Sequence, residues 1–164
     1  MADTTVSDLI GLAIQIENTC KTLYEGMEKK FVHTPEIATY WHHLANEEAG
    51  HARWLEDLCA RSTADELQKK ANAEVLQRAV LALKVSKFQS GKHIHNLEDA
   101  YQIANELENS ETNAVFEFLI TNYSGDHGTV HFLRNQLNAH MTNLQSKLPA
   151  MYQSKAARRA IKAS

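Results

Sequence analysis

Along most of the chain apolar residues recur at alternating spacings of three and four, the period of a helix that turns one face to a core. Four long rows follow this rule. The first is Ile10, Ala13, Glu17, Cys20, Tyr24, Met27 and Phe31, and the second Ile37, Trp41, Leu44, Glu48, His51, Leu55 and Leu58. The third is Leu97, Tyr101, Ala104, Glu108, Glu111, Val115 and Phe118, and the fourth Val130, Leu133, Leu137, His140 and Leu144. Strand-like alternation is absent. Local signals bound the helices. The first runs from about Val6 to Phe31. The second opens at Thr34-Pro35, where a side-chain oxygen can cap the first turn and proline takes the first helical position. Thr63 and Glu66 form a capping box that opens an amphipathic segment carrying Leu76, Val80, Leu83 and Val85 and ending near Gly91. Asn96 caps a third long helix that continues to about Thr121; Tyr123-Ser124-Gly125 makes a turn, and Asp126 opens the last helix towards Pro149.

These elements predict an all-α fold: an up-down bundle of four helices over residues 1–150, with a helical crossover at about 60–95, followed by a basic tail at 151–164. The tail alternates Lys155, Arg158, Arg159 and Lys162 with alanines and reads as a frayed or solvated helix end.

Composition narrows the functions available. The chain has 164 residues, 43% of them hydrophobic, enough for one domain with a core. A net charge of −3 gives no field that would concentrate phosphates, so nucleic acid is not an expected partner. No stretch approaches the roughly 20 apolar residues that span a bilayer, and no basic-then-apolar leader precedes the first helix; a cytoplasmic location without membrane contact is the expectation. Cys20 and Cys59 are too few for a disulfide scaffold.

The polar residues on the four rows carry the chemistry. Glu17, Glu48, His51, Glu108, Glu111 and His140 all fall near mid-helix, and in antiparallel hairpins the middles lie at one level. Taken singly, each has a plainer reading. Glu17, Glu108 or Glu111 suits the half-exposed edge of a stripe, His140 a hydrogen-bonded core histidine, and Glu48 with His51 a local ion pair. Together they require a cation, because four carboxylates sharing a dry site cannot all ionise without one. Glu48 and His51, spaced i and i+3, face one way, as in the carboxylate-histidine dinuclear sites of helical bundles. His42, His43, His93, His95, His127 and His131 fall off the rows and read as solvent-facing. Cys20, one turn from Glu17, reads as packing rather than ligation. Tyr24 and Tyr101 lie on the rows as packing residues or as donors to the site.

Ala13-x-x-x-Glu17 with Tyr24 seven residues on, the run Glu47-Glu48-Ala49-Gly50-His51-Ala52-Arg53-Trp54-Leu55, and Ala104-x-x-x-Glu108 together resemble the rubrerythrin-type di-iron proteins of the ferritin-like superfamily. The resemblance covers about residues 5–148. It implies iron, with manganese as an alternative; Glu17 and Glu108 as terminal ligands, Glu48 as a bridge and His51 as an imidazole ligand; and a homodimer. In the fourth helix the chain departs from the family's second Glu-x-x-His, since Leu137 stands where the second bridging glutamate belongs. Glu111, one turn from Glu108, is the expected surrogate; without it the second metal position is crippled. There is no Cys-x-x-Cys pair for a rubredoxin-like module, so electrons must come from an external donor. The function implied is reduction of peroxide, or oxidation of ferrous iron by dioxygen or peroxide, with Tyr24 as a candidate catalytic residue. The alternatives are a degenerate bundle that serves as a structural or partner-binding module with at most one metal, and a protein that binds and releases iron without turnover.

Overall fold

The computed structural model describes residues 4–123, 125 and 127–164, and their side chains except at 111, 112 and 141. Among the described residues it is helical throughout, with two isolated β-bridges, Thr5 to Lys70 and Asn96 to Lys162. The helices are α1 (Val6–Lys30), α2 (Pro35–Arg61), α3 (Ala64–Leu67), α4 (Ala73–Ser90), α5 (Leu97–Glu108), α6 (Glu111–Tyr123), α7 (His127–Ser146) and α8 (Lys155–Ala160), the last preceded by a 3₁₀ turn at Ala150–Tyr152. No described helix is long and apolar enough to cross a membrane.

The chain runs up α1, down α2, up α4, down α5 and α6, and up α7. Contacts at the two ends set these directions. At one end Val6 donates its backbone N–H to Lys69 and Ala71 donates to Thr4; at the other Ser164 donates to Lys30 and Leu97 donates to Ile161. α1 and α2 form the most extensive pair, and their rows bury Tyr24, Trp41, Phe31, Met27 and Leu55 completely. Tyr24 stacks on Trp41 at 5.9 Å between ring centroids, and Trp41 meets Tyr40 edge-on at 4.7 Å. The crossover helix α4 packs against both α1 and α6.

Capping follows the local sequence with two exceptions. Thr5 with Asp8 and Thr63 with Glu66 both close capping boxes, and the Asn96 side chain accepts from the Asp99 N–H. Thr34, by contrast, makes no side-chain cap bond; its carbonyl receives the Ile37 and Ala38 N–H groups while Pro35 starts the helix. The helix opened by Thr63 lasts one turn. A separate start, with the Asn72 side chain accepting from Glu74 and Val75, launches α4. In this register Val75, Ala79, Ala82, Leu83, Ser86 and Gln89 are buried; of the expected stripe Leu83 is buried, Leu76 and Val85 are half-buried against the core, and Val80 faces solvent. Gly125 sits at φ 82°, a backbone conformation that favours glycine, just before α7. Asp126, the expected opener of that helix, lies outside the described residues.

The third long helix is two helices. α5 ends at Glu108 and α6 begins at Glu111, with Asn109 as the cap between them. The freed carbonyls are taken up locally: Ser110 donates through its hydroxyl to Leu107 at 2.6 Å, Asn109 through Nδ2 to Asn105 at 2.7 Å, and Asn113 through Nδ2 to Glu108 at 2.6 Å. Asn and Ser compete well for backbone partners, which explains why a row that looks continuous by period breaks here. The break also resets the phase. α6 buries Val115, Phe116, Leu119 and Ile120, and Phe118 is only half-buried.

The C-terminal tail is a docked element rather than a frayed end. Arg158 is buried, its Nε pairs with Glu98, its Nη1 reaches the Gln153 carbonyl at 2.5 Å, and its guanidinium lies 4.3 Å from the centre of the Tyr101 ring. Ala163 donates to His95 at 2.9 Å and so ties the segment beyond α8 to the residues before α5. Arg158→Ala is expected to lower unfolding free energy by about 2 kcal/mol, since it strands the Glu98 carboxylate. The exposed Arg159→Ala should shift it by less than about 0.5 kcal/mol. Denaturant melts of the two variants check this, and equal values would mean that the tail is not held by Arg158.

Candidate metal centre

Three helices and the end of a fourth bring five of the six ionisable row residues together. Glu17 from α1, Glu48 and His51 from α2, Glu108 from the last position of α5 and His140 from α7 are all buried. They form two groups with potential ligand atoms within 4.8 Å of one another: Glu17, Glu48 and His51, and Glu48, Glu108 and His140. Glu48 belongs to both. Its Oε2 lies 3.2 Å from Nδ1 of His51, which is also 3.3 Å from Oε2 of Glu17. Its Oε1 lies 3.0 Å from Nε2 of His140, which is also 3.0 Å from Oε2 of Glu108.

The two halves are alike in composition, each with one imidazole nitrogen, one carboxylate of its own and the shared Glu48. The second group is therefore complete to three donors without Glu111, whose side chain lies outside those described. Leu137 is buried one turn before His140 and places an apolar side chain where the family pattern has a carboxylate. Leu137 thus offers no donor there, and the potential ligand atoms of the second group among the described side chains are those of Glu48, Glu108 and His140.

A residue absent from the sequence-based set completes the geometry. Glu47 accepts from Nδ1 of His140 in a short hydrogen bond, and its other oxygen takes Nζ of Lys147 at 2.8 Å and Nδ2 of Asn143 at 3.2 Å. This contact holds His140 with Nε2 turned inward, the carboxylate-histidine pairing that commonly orients metal-binding imidazoles. Glu47 lies off the apolar row of α2, so stripe analysis passes over it; the pointer was the need of a buried His140 for a partner at its second nitrogen. Tyr24 donates its hydroxyl to Oε1 of Glu108 at 2.5 Å and so fixes the terminal carboxylate of the second group. Tyr101 does not reach the site, two turns away under Arg158. Cys20 sits 4.0 Å from the Ser86 hydroxyl and joins neither group, and burial followed by the charges of Glu48, Glu17 and Glu108 pushes its thiol pKa well up. The seven remaining histidines, His33 among them, are all exposed.

The electrostatics fit a cation. Without one, burial and the neighbouring Glu48 charge push the Glu17 pKa up to about 8. Burial also opposes charge on Glu48, yet His140 and His51 outweigh it and hold this carboxyl well below its usual range. Burial pulls the His51 pKa down, and Glu17 and Glu48 more than reverse it, to about 10. Nε2 of His140 is the sharpest indicator, because it is buried between two carboxylate oxygens and makes no properly directed hydrogen bond. Burial opposes a charge on His140, but Glu48, Glu108 and Glu47 hold its pKa well above the usual value, so this nitrogen carries a proton in the metal-free protein and offers its lone pair to a metal ion that displaces it.

A helical bundle with this donor set is a ferritin-like protein with a site that could hold two metals. The Rubrerythrin family profile matches residues 8–124, and the chain belongs to that family. The match spans α1 to α6 and stops short of α7, the helix that carries Leu137 and His140. No curated protein and no solved structure gives a significant match to the chain.

The signs of the shifts set a pH dependence. A raised folded-state pKa contributes stability below the unfolded value and loses it as pH rises through the folded one. For Glu17 that window runs from 4.5 to about 8, and for His51 from 6.5 to about 10. The metal-free protein should thus melt at progressively lower temperature between about pH 5 and 10. Metal binding displaces those protons, so stabilisation by added Mn²⁺ or Zn²⁺ should grow over the same interval. Calorimetry at several pH values tests this, and a metal-induced shift independent of pH would contradict the protonation states assigned to Glu17 and His51.

Proposed function

We propose that the protein is a non-haem di-iron redox protein that reduces peroxide, or oxidises ferrous iron, with electrons from an external donor. The observation that carries this reading is Glu48, shared between two groups that otherwise own one imidazole and one carboxylate each. Iron or manganese bound by such nitrogen and oxygen donors supplies one-electron steps and Lewis acidity for O–O cleavage.

The chain's own residues have distinct parts in this scheme. Glu17 and His51 would hold one ion and Glu108 and His140 the other, with Glu48 available to both. Three carboxylates would neutralise most of the charge of two divalent ions. Tyr24 restrains Glu108 through its hydroxyl hydrogen bond. Glu47 keeps His140 in the tautomer that presents Nε2. Cys20 and Cys59 are both unpaired, which suits a reducing, cytoplasmic setting.

A second reading rests on Leu137. If one bridge is insufficient to hold two ions, the bundle is a structural or partner-binding module with at most one metal. Mass-spectrometric metal analysis of tag-free protein, produced with iron and manganese supplied, separates the two. About two ions per chain, with consumption of hydrogen peroxide by the reduced protein, support the redox reading; one or none supports the second.

Substitutions refine the test. Glu48→Ala is expected to abolish binding at both positions, whereas His140→Ala should leave about one ion per chain. His131→Ala, on the exposed face of α7, should change nothing. Retention of both ions by Glu48→Ala would remove the shared-ligand basis of the proposal.

A further inference from the structure

Between α2 and α7 an open cleft of about 660 Å³ runs down to the imidazoles of His51 and His140, one from each ligand group. That volume lies in the range of roughly 300–1,000 Å³ occupied by small-molecule sites, far more than the two oxygens of hydrogen peroxide require. Its walls set the Trp54 indole, Phe132 and Leu133 beside charged and amide groups, among them Arg53, Asp57 and Asn143. Phe132 is 59% exposed, although it stands beside this apolar wall.

Gly50 bears on access to the cleft. It lies in the middle of α2, between Glu48 and His51, and lines the cleft. A Cβ built there would meet nothing within 4 Å, so packing does not demand glycine. Gly11 and Gly26 in α1 are equally open, so the bearing of Gly50 is its place: exposed at the cleft and next to His51, it leaves that edge clear of a side chain.

We propose that this cleft binds the organic part of an organic hydroperoxide, with the apolar body against Trp54, Phe132 and Leu133 and the O–O end beside His51 and His140. The inference rests on the peroxide-reducing reading and specifies its substrate class. In the reaction the O–O bond of ROOH breaks, two electrons and two protons are taken up, and ROH and water leave. The electrons come from a one-electron donor protein or reduced dye outside the chain, by way of the bound metals. The alcohol product shares the body of the substrate and is redox-inert, which makes it a binding probe.

The first experiment is titration of the metal-free and Zn²⁺-loaded protein with 2-phenyl-2-propanol, the product of cumene hydroperoxide, followed by tryptophan fluorescence and ligand-observed NMR. Saturable binding is expected. Gly50→Phe, and separately Ala139→Phe from the α7 wall, should weaken it by about tenfold or more, the scale on which apolar pockets discriminate, while Gly50→Ala should retain it. Two blocking variants on different helices guard against a folding defect in either, and their melting temperatures are measured alongside. In the iron-loaded protein the ratio of kcat/KM for cumene hydroperoxide to that for hydrogen peroxide should fall by a similar factor in both variants. Absence of alcohol binding, or an unchanged ratio in both folded variants, overturns the proposal. Alcohol binding in a protein that consumes no peroxide would instead overturn the redox reading and with it the hydroperoxide assignment, while leaving the cleft as a small-molecule site.

Discussion

The constraint on which the molecule turns is the burial of three carboxylates and two imidazoles at one level of a narrow helical bundle. Apolar packing alone would exclude them, since each ionised group taken from water costs several kcal/mol unless it is paired. The bundle accommodates them by mutual contact. Glu48 sits at the centre, facing His51 on its own helix and His140 across the core, while Glu17 and Glu108 occupy the outer places. The surrounding layer is rigid and aromatic, with Tyr24 stacked on Trp41 and Phe116 set 4.8 Å from His51 and 5.4 Å from Trp54. Such packing leaves the polar groups little freedom to escape to water, so their charges must be resolved where they stand.

The two ligand groups match in donor type and differ in support. His51 turns Nδ1 inward and His140 turns Nε2 inward, and only the second is braced by a carboxylate that reaches the surface through Lys147. The contacts on the second side, Tyr24 on Glu108 and Glu47 on His140, are both made between helices distant in sequence. The second position is thus assembled by tertiary structure, whereas Glu48 and His51 arrive together on one unbroken helix.

This difference governs what could be read from the chain. In α1 and α2 every row residue from Ile10 to Leu58 is buried, because an uninterrupted helix carries its period intact from cap to cap. The placement of Glu17, Glu48 and His51 follows from that alone. The third row crosses Asn109 and Ser110, two residues whose side chains take backbone partners, and beyond them Val115 stays buried while Phe116, Leu119 and Ile120 take the place of Phe118. Glu47 stands outside the rows for the opposite reason: its role depends on His140 of α7, 93 residues further on, and on no local pattern. The tail misled because Arg158 among alanines looks like a solvated charge until the buried Glu98 is placed beside it.

The interruption at Asn109–Ser110 also divides the third helix into mechanically separate pieces. A helix transmits rotation along its length, at about 100° per residue, so a residue inserted between Glu48 and His51 would swing one ligand out of the core. At the break the backbone ladder is interrupted, and Asn113 of α6 reaches back by its side chain to the Glu108 carbonyl. α5 ends on its ligand, and α6 takes up its own phase against α1, α4 and α7. The chain can gain or lose a residue there, and the surface of α6 can diverge, while Glu108 stays in register with Glu48, which makes this short joint the place where length variation would be tolerated among related sequences.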